Sequence, residues 1–210
     1  MSENTHQIDR LNRVVSALAE KYVGVFAAET IERVVFESYA SLLRTGTKAS
    51  SVTVFAEKFS KDRLRALATA KGNVAKDKPE VLFVCVQNAG RSQMAMALMA
   101  NLSNGAINVR SAGSMPASEV SEKTIAVMKE IGFDLTEAFP KPLTDDVVQA
   151  ADVVITMGCG DACPLYPGKK YLDWELEDPA ELDLEGVRRV RDEIRAKVEA
   201  LIAELADHRP

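Results

Sequence analysis

The sequence predicts an α/β fold class, a four-stranded parallel sheet flanked by helices, preceded by a small all-α domain of three helices. Three observations carry this expectation. Apolar residues before about residue 70 recur at helical spacing throughout. The stretch KGNVAKDKPE (71–80) is polar and carries Gly72 and Pro79, the marks of a linker. After it, short β-branched runs alternate with amphipathic segments, which implies parallel strands joined by crossover helices. The 210 residues, 47% hydrophobic and 27% charged, suffice for one ordinary domain and a smaller one. The expected domains are 1–75 and 80–210.

In the first domain, Ile8, Leu11, Val14, Val15 and Leu18 form one apolar face, and Gly24 punctuates it. A second face follows with Ile31, Val34, Val35, Tyr39, Leu42 and Leu43. A third helix is expected from about Val52 to Ala70, with Val52, Phe55 and Phe59 facing inward. Together they predict a small bundle. Wide apolar faces on a small bundle can pair with a copy of themselves, so a homodimer through these helices is expected. The domain has a slight excess of basic residues but no basic stripe that would suggest a DNA reader.

In the second domain, VLFVCV (81–86) reads as a buried parallel strand, apolar on both faces. Arg91 to Leu102 reads as a helix with Met94, Ala95, Leu98 and Leu102 inward. INVRSAG (107–113) is a second strand, and Ser121 to Ile131 a helix with Ser121 placed to cap it. DVVITM (152–157) and KKYLDW (169–174) supply two more strands. The last helix is the clearest: Val187, Val190, Ile194, Val198, Leu201 and Leu205 keep helical spacing, with Asp183 positioned at its start.

Composition excludes several functions. No apolar run approaches the roughly 18 residues of a membrane span, and the polar opening MSENTHQIDRLNR has no signal-peptide core. The expected location is therefore cytoplasmic, with no membrane partner. Thiols stay reduced there, and cysteines are more often catalytic or metal-binding than structural. A net charge of −5 argues against nucleic acid as a partner, but not against a small anion.

An anion site is written at the end of the first strand. Cys85 is followed by VQNAG, then Arg91 and Ser92, then a helix. Residues Val86, Gln87, Asn88, Ala89, Gly90 and Arg91 can curl so that their N–H groups converge at a helix N-terminus, a point that favours a tetrahedral oxyanion. Arg91 adds a planar, permanently charged fork for two of its oxygens. The same field keeps the Cys85 thiolate available as a nucleophile, and Ser92 can donate a hydrogen bond to it.

Two further cysteines, Cys159 and Cys163, lie in ITMGCGDACP (155–164), a stretch that no strand or helix pattern claims. From the residues alone they are half a metal site, a structural pair or a redox pair. A zinc site needs two more ligands. The only histidines, His6 and His208, lie near the termini, so no metal is expected.

VLFVCVQNAGRSQMA resembles the active-site loop of the low-molecular-weight protein tyrosine phosphatase superfamily. TMGCGDACP, with YLDWELEDPA after it, resembles the arsenate reductases of that superfamily that recycle through thioredoxin. The three-helix bundle resembles an extension that some arsenate reductases carry. The resemblance implies that Cys85 is the nucleophile, that residues 86–92 hold the oxyanion with Arg91 as clamp, and that Asn88 keeps the loop's shape. Asp178, directly before Pro179, matches the general acid. It further implies a Cys85–Cys159–Cys163 disulfide relay that reduces arsenate to arsenite, with thioredoxin as external reductant and no bound cofactor. Mycothiol or glutaredoxin are other candidate reductants. Each transfer is thiolate–disulfide exchange, and residues four apart in a helical turn have Cα atoms about 6 Å apart, within disulfide range. The relay requires Cys159 to travel, so 158–168, with Gly158, Gly160 and Gly168, is expected to be mobile. Met96 stands where some relatives have a glutamate that completes a potassium site, so potassium is not expected. The alternative activity is that of a low-molecular-weight phosphatase. Against it, Pro-Ala-Glu follows Asp178 where phosphatases commonly carry tyrosines.

Overall fold

The computed structural model describes residues 3–158 and 163–207. The chain divides into two compact units, 1–76 and 77–210.

The first unit is three helices, α1 (Glu3–Lys21), α2 (Ala28–Arg44) and α3 (Ala49–Ala70). Leu11 and Leu18 of α1, Ile31, Val34, Val35 and Leu42 of α2, and Val52, Phe59 and Leu64 of α3 form its buried core. Each such side chain contributes about 1.5–3 kcal/mol relative to exposure. The inward faces are narrower than the sequence pattern suggests. Ile8 is 49% exposed and Leu43 45%, whereas Val14, Val15, Tyr39 and Phe55 are only partly covered. The space is taken instead by a polar core: Arg63 is buried, donates to Ser38 Oγ at 3.2 Å and Glu37 Oε2 at 3.2 Å, and lies over the Phe59 ring.

The second unit is a four-stranded sheet in the order β2-β1-β3-β4, parallel throughout. Its strands are β1 (Glu80–Cys85), β2 (Asn108–Gly113), β3 (Val153–Met157) and β4 (Lys170–Asp173). Between and after them lie α4 (Arg91–Leu102), α5 (Glu122–Glu130), α6 (Asp145–Ala150) and α7 (Leu184–Asp207). Val81, Phe83 and Cys85 alternate onto one face of β1. There they join Met94 and Leu98 of α4, Val127 and Met128 of α5, and Val187, Val190, Ile194, Val198 and Leu201 of α7 in one core. Leu82 and Val84, on the opposite face, are also buried, which is why the strand reads as a continuous apolar run. Asp183 caps α7 by accepting the Gly186 N–H at 2.8 Å.

Three local expectations change. Glu80, read as the end of the linker, is the first residue of β1, 2% exposed and ion-paired with buried Arg110 of β2. Its backbone N–H donates to Asp152, so three strands are tied at their N-terminal ends. Ser121 occupies the N-cap position of α5 without a side-chain capping bond. Helix α6 went unread, because six residues (DDVVQA) give too short a period to separate helix from loop.

The chain runs from β1 to β2 on one side and returns to β3 on the other, so β1 is a topological switch point. Cys85 pairs in register with Gly113 and with Met157, and its loop leaves the sheet between two carboxyl-end loops, where open α/β sheets bind ligands.

Candidate active site

The loop after β1 is shaped by where its carbonyls go. Those of Cys85, Val86, Gln87 and Ala89 accept from the N–H groups of Ser114, Met115, Ala117 and Ser121, at 2.9–3.1 Å. The Gly90 carbonyl accepts from Met94 within α4. With the carbonyls turned out and satisfied, the loop's N–H groups are left for the inside, where the Asn88 N–H donates to Cys85 Sγ at 3.2 Å. Asn88 reaches this position with φ of 48°, a left-handed conformation that asparagine tolerates better than most residues. Its side chain is buried, donating to Ser92 Oγ at 2.7 Å and accepting from the Lys141 N–H at 2.8 Å.

Cys85 is 2% exposed at the floor of a small cleft lined also by Gln87, Ala89, Arg91, Ser121 and Asp178. Ser92 Oγ lies 2.9 Å from Cys85 Sγ. Because Ser92 Oγ already accepts from Asn88, its own proton is free for the sulfur, the bond a thiolate requires. The cleft also sits at the N-terminus of α4, whose unpaired N–H groups favour negative charge. A buried sulfur, a loop N–H directed at it and a helix N-terminus thus share one point.

Arg91 and Asp178 meet over that point. Arg91 Nη2 donates to Asp178 Oδ2 at 2.6 Å and Nη1 to the Leu176 carbonyl at 3.2 Å. Asp178 Oδ1 accepts the Ala180 N–H at 3.0 Å, which turns the chain around Pro179. Pro179 packs on the loop so closely that a Cβ on Gly90 would lie 2.9 Å from its Cγ. The Asp178 side chain remains 55% exposed.

The segment after β3 joins the same site. Gly158, with φ of +72°, lies against the Arg91 guanidinium, and a Cβ there would come within 3.1 Å of Nη1. The chain leading to Cys159 therefore starts against Arg91. Cys159 and Gly160 lie outside the described residues. Cys163 is a buried thiol, 8% exposed and outside any disulfide, as is Cys85. The expected mobile stretch is anchored at its far end: Tyr171 OH donates to the Pro164 carbonyl at 3.1 Å and accepts from the Tyr166 N–H at 2.8 Å.

The structure thus brings Cys85, Asn88, Arg91, Ser92 and Asp178 together. Val86 acts by its backbone alone, turning its carbonyl to Met115. Sequence reasoning missed Ser121, whose N-cap pattern hid its place in the cleft wall. It also missed buried Gln93 and Lys141; the signal for Gln93 was a polar residue among the apolar ones of α4. Met96 is partly buried against the core.

Comparison with known proteins agrees with this geometry. Residues 80–210 match the family of low molecular weight phosphotyrosine protein phosphatases, and residues 11–68 match the protein-tyrosine-phosphatase-like N-terminal domain. A thioredoxin-dependent arsenate reductase of Corynebacterium glutamicum is 49% identical, with a TM-score of 0.86 over 95% of this chain and 97% of that one. A putative arsenate reductase of Halobacterium salinarum is 38% identical over 127 residues, 58% of this chain and 89% of its own length. The glutaredoxin arsenate reductase of Synechocystis sp. is 38% identical over 130 residues, 60% of this chain and 98% of its own. A buried cysteine in a loop at a helix N-terminus, a facing aspartate and this similarity converge: the chain belongs to the low molecular weight phosphotyrosine protein phosphatase family and stands with its arsenate reductases.

Proposed function

We propose that this protein reduces arsenate to arsenite through three thiols, two of which end as a disulfide, and that thioredoxin reduces that disulfide. The observation that carries the reading is the approach of Gly158 to Arg91, which starts the Cys159–Cys163 segment at the anion clamp. A phosphatase requires only the loop and the acid; a dithiol segment beside them supplies two electrons as well.

Cys85 thiolate attacks arsenic while Asp178 gives a proton to the departing oxygen, which leaves as water. Arg91 and the loop N–H groups hold the remaining oxygens. Cys159 thiolate then attacks Cys85 Sγ; the S–As bond breaks, its electron pair goes to arsenic, and arsenite leaves. Cys163 thiolate attacks Cys159 Sγ and releases Cys85 thiolate. One arsenate and two thiols yield arsenite, water and a Cys159–Cys163 disulfide, which an external dithiol reduces. Thioredoxin is favoured over glutaredoxin because similarity to the thioredoxin-dependent relative extends over both units. Arsenate-dependent NADPH consumption with thioredoxin and thioredoxin reductase tests this. Wild type turns over and Cys85→Ser does not. Hydrolysis of p-nitrophenyl phosphate without arsenate-dependent NADPH consumption would establish the phosphatase reading instead.

The first unit serves as a dimerisation domain in this reading, supported by the exposure of Ile8 at 49% and Val54 at 44%. Sedimentation of the full chain should give twice the chain mass, and Ile8→Asp with Val54→Asp should halve it. A monomeric wild type would sink the assignment.

A further inference from the structure

Of the six loop carbonyls from Cys85 to Gly90, five are held by backbone N–H groups, and the sixth, that of Asn88, is held by a side chain. Its donor is Gln93 Nε2, at 3.0 Å. The same nitrogen lies 3.1 Å from Asn88 Oδ1 and 3.0 Å from the Phe139 carbonyl. Gln93 is 0% exposed, as is Asn88. An amide carries two N–H groups, and here three oxygens from two separate segments surround them.

We propose that Gln93 is a positioning residue for the reaction of Cys85, acting through Asn88 and never touching the substrate. The proposal rests on the arsenate reductase reading of the same site. Asn88 has a left-handed backbone, with φ of 48°, rare for a residue other than glycine. Its peptide N–H reaches Cys85 Sγ and its side-chain amide reaches Ser92 Oγ, which itself contacts the sulfur. The Asn88 N–H lies in the peptide of Gln87, whose carbonyl the Ala117 N–H holds, so it is Ser92, the other group on the sulfur, that depends on how the Asn88 side chain is turned. Backbone bonds fix the carbonyls on either side of Asn88. Gln93 fixes its carbonyl and, with the Lys141 N–H, its side chain. The third acceptor, Phe139 O, ties this pair to the segment before α6, so the loop's back wall is held by one side chain on α4.

The role belongs to the donor half of the amide. Gln93 Oε1 is buried without a hydrogen-bond partner, so removing it deprives no donor of its acceptor. Gln93→Met keeps the length and approximate volume of the side chain but cannot donate. The Asn88 carbonyl then loses its partner and Asn88 Oδ1 keeps only the Lys141 N–H, so the side-chain amide is held less firmly against Ser92 Oγ, the hydroxyl that contacts the sulfur.

The test is the pH profile of Cys85 alkylation by iodoacetamide, read beside steady-state kinetics with arsenate. In Gln93→Met, alkylation at neutral pH should fall about tenfold and the difference should close as pH is raised, because hydrogen bonds to the thiolate favour it. Turnover should fall on the order of 10- to 100-fold, the usual effect of losing a group that orients a reacting one. The arsenate KM should change less, because the loop N–H groups and Arg91 remain. A wild-type alkylation profile with turnover within twofold overturns the proposal. If Gln93→Met does not fold, Gln93→Asn keeps the polarity while its amide falls short of Asn88. It should show the same direction of change, and a wild-type profile there overturns the proposal equally. Loss of melting temperature with an unchanged alkylation profile would make Gln93 a packing residue only.

Discussion

Asp178 is bound to Arg91 at 2.6 Å, so the proposed acid and the proposed anion clamp of one site hold each other. In the proposed mechanism arriving arsenate competes with Asp178 for Arg91. Asp178→Asn keeps the shape, weakens this bond and removes the transferable proton. Turnover should fall by about 10²–10⁴ while the arsenate KM stays level or drops, because Arg91 is easier to engage. A raised KM with unchanged turnover would mean that Asp178 only arranges the clamp.

Gly158 tests the link between clamp and relay. Alanine there must adopt a φ of +72° and stand 3.1 Å from Arg91 Nη1. The strain costs about 1–2 kcal/mol in the backbone alone. Gly158→Ala should raise the arsenate KM by displacing Arg91 and slow thioredoxin-coupled turnover further by displacing the segment that follows. Kinetics identical to wild type would separate this segment from the site.

At the opposite end of the sheet, Glu80 and Arg110 form an ion pair with side chains 2% and 6% exposed. Arg110→Met should lower stability in urea by about 3–5 kcal/mol, because it leaves a buried carboxylate unpaired. The double replacement Glu80→Leu with Arg110→Met should recover most of that loss. A double variant as unstable as the single one would show that the strands need the charges themselves.

In the helical unit, burial pushes the Glu37 carboxyl up, but hydrogen bonds from Arg63 and Arg33 outweigh it and hold it below the ordinary glutamate range. A lowered folded-state value adds stability above the unfolded value, about 4.3, and that stability is lost as pH falls through the folded value. Wild type should therefore melt higher than Glu37→Gln at pH 6, and the gap should narrow towards pH 3. A constant gap would assign the effect to packing.

Legibility followed physical range. The strand EVLFVC, helix α7 and the Cys85–Arg91 loop were readable because burial on both faces, a long 3.6-residue period and a strand–loop–helix junction each leave a local trace. Asp178 and the cysteine pair needed the family resemblance, since an aspartate in an acidic run and two thiols in a loop carry no periodic signal. The Glu80–Arg110 pair joins residues thirty apart, and Gln93 meets Phe139 forty-six residues away. Such contacts are properties of the packed sheet. No window of sequence contains both partners beside each other, and the local reading put Glu80 in a linker for that reason.

In the proposed cycle arsenic takes up two electrons, and the oxidation passes from Cys85 to the Cys159–Cys163 pair. The most direct test of that cycle is a single turnover: fully reduced protein mixed with arsenate, no external reductant, quenched by alkylation and mapped by mass spectrometry. One arsenite per chain, a Cys159–Cys163 disulfide and an alkylated Cys85 are expected. Absence of arsenite until an external thiol is added, with Cys159 and Cys163 both alkylated, would contradict it.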